Sequence, residues 1–215
     1  ARSQGLEVLA GYLSPNLSGE AAALLEEFPR VLPALVNGRE EFDLDQVLFL
    51  PTGKSPHKAQ IFVTEPKLRC EMVRIAISRN PDFKLSVWEA ENREINYTYL
   101  TLRKFHEQYE NTHFYFIMGE DSLDDFPNWK NPCEICRLST VLVAVRNDRG
   151  DGIKDKIKRM ANTYAADMHM LHAPNFTISS REIRERIRLG KSVRYMIPEE
   201  VETFIRQHYL YMEQD

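Results

Sequence analysis

Three apolar runs constrain this chain more than any other feature: QVLFLP at Gln46–Pro51, HFYFIMG at His113–Gly119 and STVLVAVR at Ser139–Arg146. Each is short, rich in β-branched and aromatic residues, and too continuously apolar for a strand with one wet face. Such runs read as strands buried on both faces. The segments between them change period. Glu65 to Arg79 reads as a helix with Leu68, Met72, Ile75 and Ala76 on one side, Pro66 in its first turn and Asn80-Pro81 as its stop. Thr98 to Glu110, Asp151 to Ala166, Ser180 to Leu189 and Pro198 to Tyr209 read as further helices, and one more starts near Ser18. EVLAGYL (Glu7–Leu13), FKLSVWE (Phe83–Glu89) and MHMLHAP (Met168–Pro174) read as the remaining strands. Strand and helix in alternation, with strands this apolar, predict an α/β fold: a doubly wound parallel sheet covered by helices on both faces. A single domain spans residues 1–215, with a small helical C-terminal part over about 180–215. Pro29 to Glu40, which holds Pro33 and Asn37-Gly38, reads as a loop that interrupts or extends the first helix.

The bulk numbers exclude more than they assign. With 215 residues and a 43% hydrophobic fraction, the chain has ample material for a core. Its net charge of −4 gives no general attraction to nucleic acid or to an anionic membrane. No apolar run approaches the roughly 18–20 residues of a membrane span, and no signal-peptide pattern opens the chain, so a soluble, cytoplasmic protein is expected. The three cysteines, Cys70, Cys133 and Cys136, are too few for a disulfide framework. Cys133 and Cys136 have metal or redox spacing but supply only two of four zinc ligands; the plainer reading is two cysteines one turn apart on a helix, buried as small apolar residues.

Parallel sheets place ligands beyond the carboxyl ends of their strands. Four polar clusters follow strands or open helices in this way. In GYLSPNLSGE (Gly11–Glu20), strand, glycine turn and helix N-terminus form the backbone outline of an anion cradle, yet no basic side chain is present and Glu20 stands in the way. PTGKSPHK (Pro51–Lys58) carries Lys54, His57 and Lys58: a solvated basic loop, or point charges for a mononucleotide phosphate. In MGEDSLDDFPNW (Met118–Trp129), Gly119 lets a ligand approach the backbone, Asp121 suits a ribose or a magnesium shell, and Trp129 offers a flat face. The same residues also read as a helix cap and a core tryptophan. In ISSREIRERI (Ile178–Ile187), the serines suit a helix cap, while Arg181 and Arg184 add guanidinium groups to a helix start that already favours anions.

Together FIMGEDSLDDFPNW, SPHK, NYTYLTL and ISSREIRERIRLGKSVRYMIPEEVETFI resemble the bacterial nicotinate-nucleotide adenylyltransferases, in the same order, over roughly residues 41–210. The resemblance implies a Rossmann-like nucleotidyltransferase fold. It implies transfer of the AMP part of ATP to nicotinate mononucleotide, giving the deamido dinucleotide precursor of NAD and pyrophosphate, with Mg2+ assisting. Carried over by position, Gly11, Gly19, Gly119, Asp121, Ser180 and Arg184 bind the ATP side. His57 and Lys58 lie near the substrate phosphate, Thr98 lies near the pyridine carboxylate, and Trp129 stacks on the pyridine ring. The partners implied are ATP and nicotinate mononucleotide or a related dinucleotide, with no nucleic acid and no membrane; a homo-oligomer stays open.

The family's first turn follows the pattern G-T-F-D-P-x-H-x-G-H. GYLSPNLSGE fits that template without a gap and keeps Gly11, Pro15 and Gly19, but Leu17 and Glu20 occupy both histidine positions. Losing one preorganised donor costs about 10²–10³ in rate. A carboxylate near a phosphate adds repulsion of about 4 kcal/mol at ~4 Å and an effective dielectric of ~20. The expectation is therefore an adenylyltransferase-like protein with impaired catalysis and no intact catalytic pair. The alternative is a catalytically inactive nucleotide-binding or protein-interaction module of the same fold.

Overall fold

The computed structural model describes residues 6–11, 35–36, 38–53, 64–146, 152–173 and 180–212. Six strands form one sheet: β1 (Leu6–Gly11), β2 (Gln46–Phe49), β3 (Phe83–Leu85), β4 (Thr112–Gly119), β5 (Thr140–Arg146) and β6 (Met168–Ala173). All pairings are parallel, in the order β3-β2-β1-β4-β5-β6. The chain winds outward from β1 in one direction and restarts on its other side at β4, so the crevice between β1 and β4 is the switch point of a doubly wound sheet. Helices α1 (Pro66–Ile77), α2 (Trp88–Glu91), α3 (Thr98–Gln108), α4 (Glu120–Leu123), α5 (Pro132–Leu138), α6 (Gly152–Tyr164), α7 (Ser180–Arg188) and α8 (Glu199–Gln207) complete the described elements, with a 3-10 turn at Phe126–Asn128.

The apolar runs bury both faces of the sheet, as their composition requires. On one side Leu48, Phe114, Phe116, Met118, Val141, Val143 and Val145 pack against Leu102 and Phe105 of α3, Ile135 of α5 and Ile157 of α6. On the other, Val47, Phe49, Ile117, Leu142 and Leu171 pack against Val73 and Ile77 of α1. Each such side chain contributes about 1.5–3 kcal/mol by leaving water. A third cluster joins Met72 of α1 to Ile183 and Ile187 of α7, Val193, Ile197, and Val201 and Ile205 of α8. The helical C-terminal part therefore docks on α1 rather than on the sheet.

Three expectations change. The alternation FKLSVWE does not continue as a strand: β3 ends at Leu85, and Trp88–Glu91 turns into a short helix. The Ser86 N–H still donates to the Phe49 carbonyl at 2.8 Å, after which no further β2 residue is available to pair. The buried surface of α1 is wider than the expected stripe: Met72 is buried and Ile75 and Ala76 pack on the core as expected, while Arg69, Cys70, Val73 and Ile77 are buried beside them. A helix held between a sheet and a second helical layer needs two apolar faces, which a single stripe does not describe. Within the expected loop at 29–40, residues 35–36 and 38–41 include helical turns, and Leu35 joins the core. Gly38 is closely faced by Leu171; a Cβ there would lie 3.3 Å from both Leu171 methyls. The helix expected near Ser18 lies outside the described residues.

Candidate active site

All the described strands are parallel, so their carboxyl ends share one edge of the sheet, where Gly11 and Gly119 end their strands. Gly11 ends β1 and is in register with Ile117, which places Gly119 two residues further along the neighbouring strand. The two glycines thus flank the switch-point crevice. Gly119 has an extended backbone (φ −73°) that any residue can adopt. Its value lies in space: a Cβ built there meets nothing within 4 Å. Asp121 follows in α4, one turn from the crevice. Beyond β6, Ser180 opens α7, and Arg184 is half-buried one turn later. Ile183 and Ile187 anchor this helix in the third core cluster, which fixes the direction of its N-terminal turn.

The other half of the site lies beyond β2 and β3. The chain leaves β2 through Thr52 and Gly53, and Gly53 presses against α2. A Cβ at Gly53 would stand 2.2 Å from the Glu89 carbonyl oxygen and 3.1 Å from both the Asn92 carbonyl oxygen and Asn96 Nδ2. Asn96 Nδ2 donates to the Glu89 carbonyl at 2.9 Å, and Asn92 Nδ2 donates to Asn96 Oδ1 at 2.8 Å. Two residues on, Thr98 begins α3 and is buried. One turn later the Thr101 hydroxyl donates to Glu89 Oε1 at 2.6 Å. The Glu89 side chain is wholly buried, and desolvation pushes its carboxyl up to about 7, against the partial opposition of the hydrogen bond from Thr101.

Arg69 of α1 completes this corner. Its Nη2 donates to the Thr52 carbonyl at 2.5 Å and its Nε to the Thr64 carbonyl at 3.1 Å, and the Thr64 hydroxyl donates to the Tyr211 hydroxyl at 3.2 Å. A buried guanidinium therefore joins the chain on both sides of the segment that carries His57 and Lys58. Burial holds this guanidinium below its ordinary range. Arg69, Gly53, Glu89, Asn96 and Thr101 were all missed by sequence reading. The available signal was an acid, Glu89, inside the apolar alternation SVWEA.

Trp129 is only 8% exposed, with its ring 6.1 Å from Phe116 edge-to-face and 5.5 Å from Phe126. Most of its surface is thus used in the core at the foot of α5. Leu17, Gly19, Glu20, His57 and Lys58 lie outside the described residues. Cys133 is exposed and Cys136 half-buried, which corrects the expectation that both are buried. Burial and the neighbouring Cys133 push the Cys136 thiol up to about 11. Among the described residues no group of three or more His, Cys, Asp or Glu side chains could hold a metal ion. Among them, too, no helix is long and apolar enough to cross a membrane.

Comparison with known proteins agrees with this geometry. The cytidylyltransferase-like family profile matches residues 32–186. A probable nicotinate-nucleotide adenylyltransferase from Synechococcus is 38% identical over 173 residues, covering 80% of this chain and 85% of its own. Its counterpart from Clostridium botulinum is 37% identical over 174 residues, covering 80% and 87%. Among solved structures, the Plasmodium falciparum nicotinic acid mononucleotide adenylyltransferase complexed with NaAD superimposes with a TM-score of 0.67 at 16% identity, over 96% of this chain and 97% of its own. A putative nicotinate-nucleotide adenylyltransferase from Vibrio parahaemolyticus gives a TM-score of 0.61 at 19% identity, over 98% and 97%. The parallel sheet with its β1/β4 crevice, the motif residues along its carboxyl edge and identity above one third across four fifths of the sequence lead to one assignment: this chain belongs to the nicotinate-nucleotide adenylyltransferase family, within the cytidylyltransferase-like nucleotidyltransferases.

Proposed function

We propose that the chain binds ATP and nicotinate mononucleotide in the crevice at the carboxyl edge of its sheet. There it transfers AMP to the mononucleotide phosphate, releasing pyrophosphate and forming the deamido dinucleotide. The observation that carries this reading is the 38% identity to a relative of that named activity over 80% of the chain. The geometry supports it. Gly119 leaves open space at the crevice beside the end of β1, and Ser180 and Arg184 begin a helix whose positive dipole end suits a triphosphate. On the other side, the buried corner around Gly53, Asn96 and Thr98 suits the pyridine nucleotide.

Catalysis of this reaction is mostly alignment of the attacking phosphate with the α-phosphate of ATP, plus stabilisation of the charge that develops between them. Arg184 supplies charge on the ATP side, and Asp121, carried over from the family motif, is the residue proposed for the ribose hydroxyls. Mg2+, which the family resemblance implies, would offset phosphate charge and would be brought in with ATP. With Leu17 and Glu20 in place of the histidine pair, we propose slow turnover on an otherwise competent binding site. Isothermal titration of the full chain with nicotinate mononucleotide, with ATP and with the deamido dinucleotide tests the binding half of the proposal. Saturable binding of all three is expected, and no heat with any of them overturns it.

A further inference from the structure

We infer that Glu89 is a positioning residue for the pyridine-nucleotide half of the site: its backbone carbonyl packs on Gly53 where the chain leaves β2, and its buried carboxyl holds Thr101 in the first turn of α3. This rests on the reading of that corner as the mononucleotide pocket. The inference starts from an oddity of burial. Glu89 is an acid with no exposed surface, on a helix of four residues, and it forms none of the described ion pairs. An acid so placed is costly unless hydrogen bonding recovers what water supplied. Its partner is a threonine from another element: Thr101 of α3 donates to Oε1 at 2.6 Å, while Oε2 is buried without a hydrogen-bond partner among the described residues.

The backbone of the same residue is used as well. The Glu89 carbonyl receives Asn96 Nδ2 at 2.9 Å and abuts Gly53 so closely that no side chain fits there. One residue therefore fixes three things: where the chain leaves β2, the course of the Asn92–Asn96 turn through the Asn pair, and the first turn of α3 at Thr98–Thr101. Oε1 acts as an acceptor for Thr101, and Gln keeps an acceptor oxygen of the same reach at that place. On the far side of the crevice, α7 is anchored through Ile183 and Ile187 in a separate cluster, so the ATP end has its own support.

The test is calorimetry of the full chain with nicotinate mononucleotide and with ATP, run on the unaltered protein, Glu89→Ala, Glu89→Gln and Thr101→Val. Removing the buried acid takes the acceptor from the Thr101 hydroxyl and leaves the turn unsupported, so Glu89→Ala should bind the mononucleotide roughly tenfold more weakly while ATP stays within about twofold. Glu89→Gln should recover most of the loss. Thr101→Val, which keeps shape and removes one donor, should weaken the mononucleotide about threefold and keeps the inference testable where Glu89→Ala fails to fold. Unchanged mononucleotide affinity in Glu89→Ala, or in Thr101→Val where the alanine variant does not fold, overturns the inference. An equal loss for both ligands, or a glutamine variant no better than alanine, also overturns it. Absence of mononucleotide binding by the unaltered chain overturns the pocket assignment, and the inference with it. Failure of the inference alone is recognised by intact binding in the variants.

Discussion

Replacing Glu89 by Gln should change how stability depends on pH, not only how tightly the mononucleotide binds. In the folded chain this carboxyl titrates at about 7, against 4.5 for the free group. The folded state therefore holds more protons than the unfolded state between those two values. Stability from this group is fully present below the unfolded value and is lost as pH rises through the folded one. A displacement of that size corresponds to about 3 kcal/mol in full, of which about 2–3 kcal/mol falls between pH 5 and pH 8. Other carboxyls act in the opposite sense; Glu134, for example, is held below its usual range by hydrogen bonds from Arg103. The difference between two proteins that share those groups cancels them. The assay is urea denaturation of the unaltered chain and of Glu89→Gln at pH 5, 6, 7 and 8. The glutamine variant should gain on the unaltered chain by about 2–3 kcal/mol across that range, with most of the gain below pH 7. Parallel stability curves would refute the assignment of a neutral buried acid at this position.

Gly53→Ala should be costly out of proportion to one methyl group, because its Cβ would lie 2.2 Å from the Glu89 carbonyl oxygen and the backbone must move. A loss of about 1–3 kcal/mol in chemical denaturation is expected, with mononucleotide affinity falling alongside. Arg69→Met removes the donors to Thr52 and Thr64 and should cost about 1–3 kcal/mol in the same measurement, since two part-buried carbonyls lose their partners. Phe114→Ala, at a fully buried position on β4, should cost about 3–5 kcal/mol and serves as a reference for damage to the core alone, with the ratio of mononucleotide to ATP affinity unchanged.

The sheet was legible because its strands declare themselves by composition: Phe114, Phe116, Ile117 and Met118 cannot all be buried unless both faces of β4 are covered. The positions of Gly11 and Gly119 at strand ends were legible for the same reason, since each closes an apolar run. Local pattern failed where two layers compete for one element. Helix α1 serves the sheet through Val73 and Ile77 and the C-terminal helices through Met72 and Ile75, so the apolar stripe in its sequence describes the second layer and misses the first. It failed again at Trp88–Glu91, where alternation suggests a strand but the Glu89 carboxyl turns inward to Thr101, remote in sequence. Buried polar corners are set by partners distant along the chain, and periodicity carries no record of them. Trp129 shows the opposite limit. A tryptophan in a motif reads equally as a stacking platform or as core, and only its contacts with Phe116 and Phe126 show how much of it the core uses.

The account turns on a binding site that persists around an altered first turn, and pyrophosphate release is its most direct measure. Purified unaltered chain, supplied with ATP, magnesium and nicotinate mononucleotide, should release pyrophosphate slowly and only when the mononucleotide is present. The double change Leu17→His with Glu20→His should raise that rate by about 10²-fold or more, the worth of at least one restored preorganised donor. Rapid release by the unaltered chain, or no release by either protein, would contradict the account.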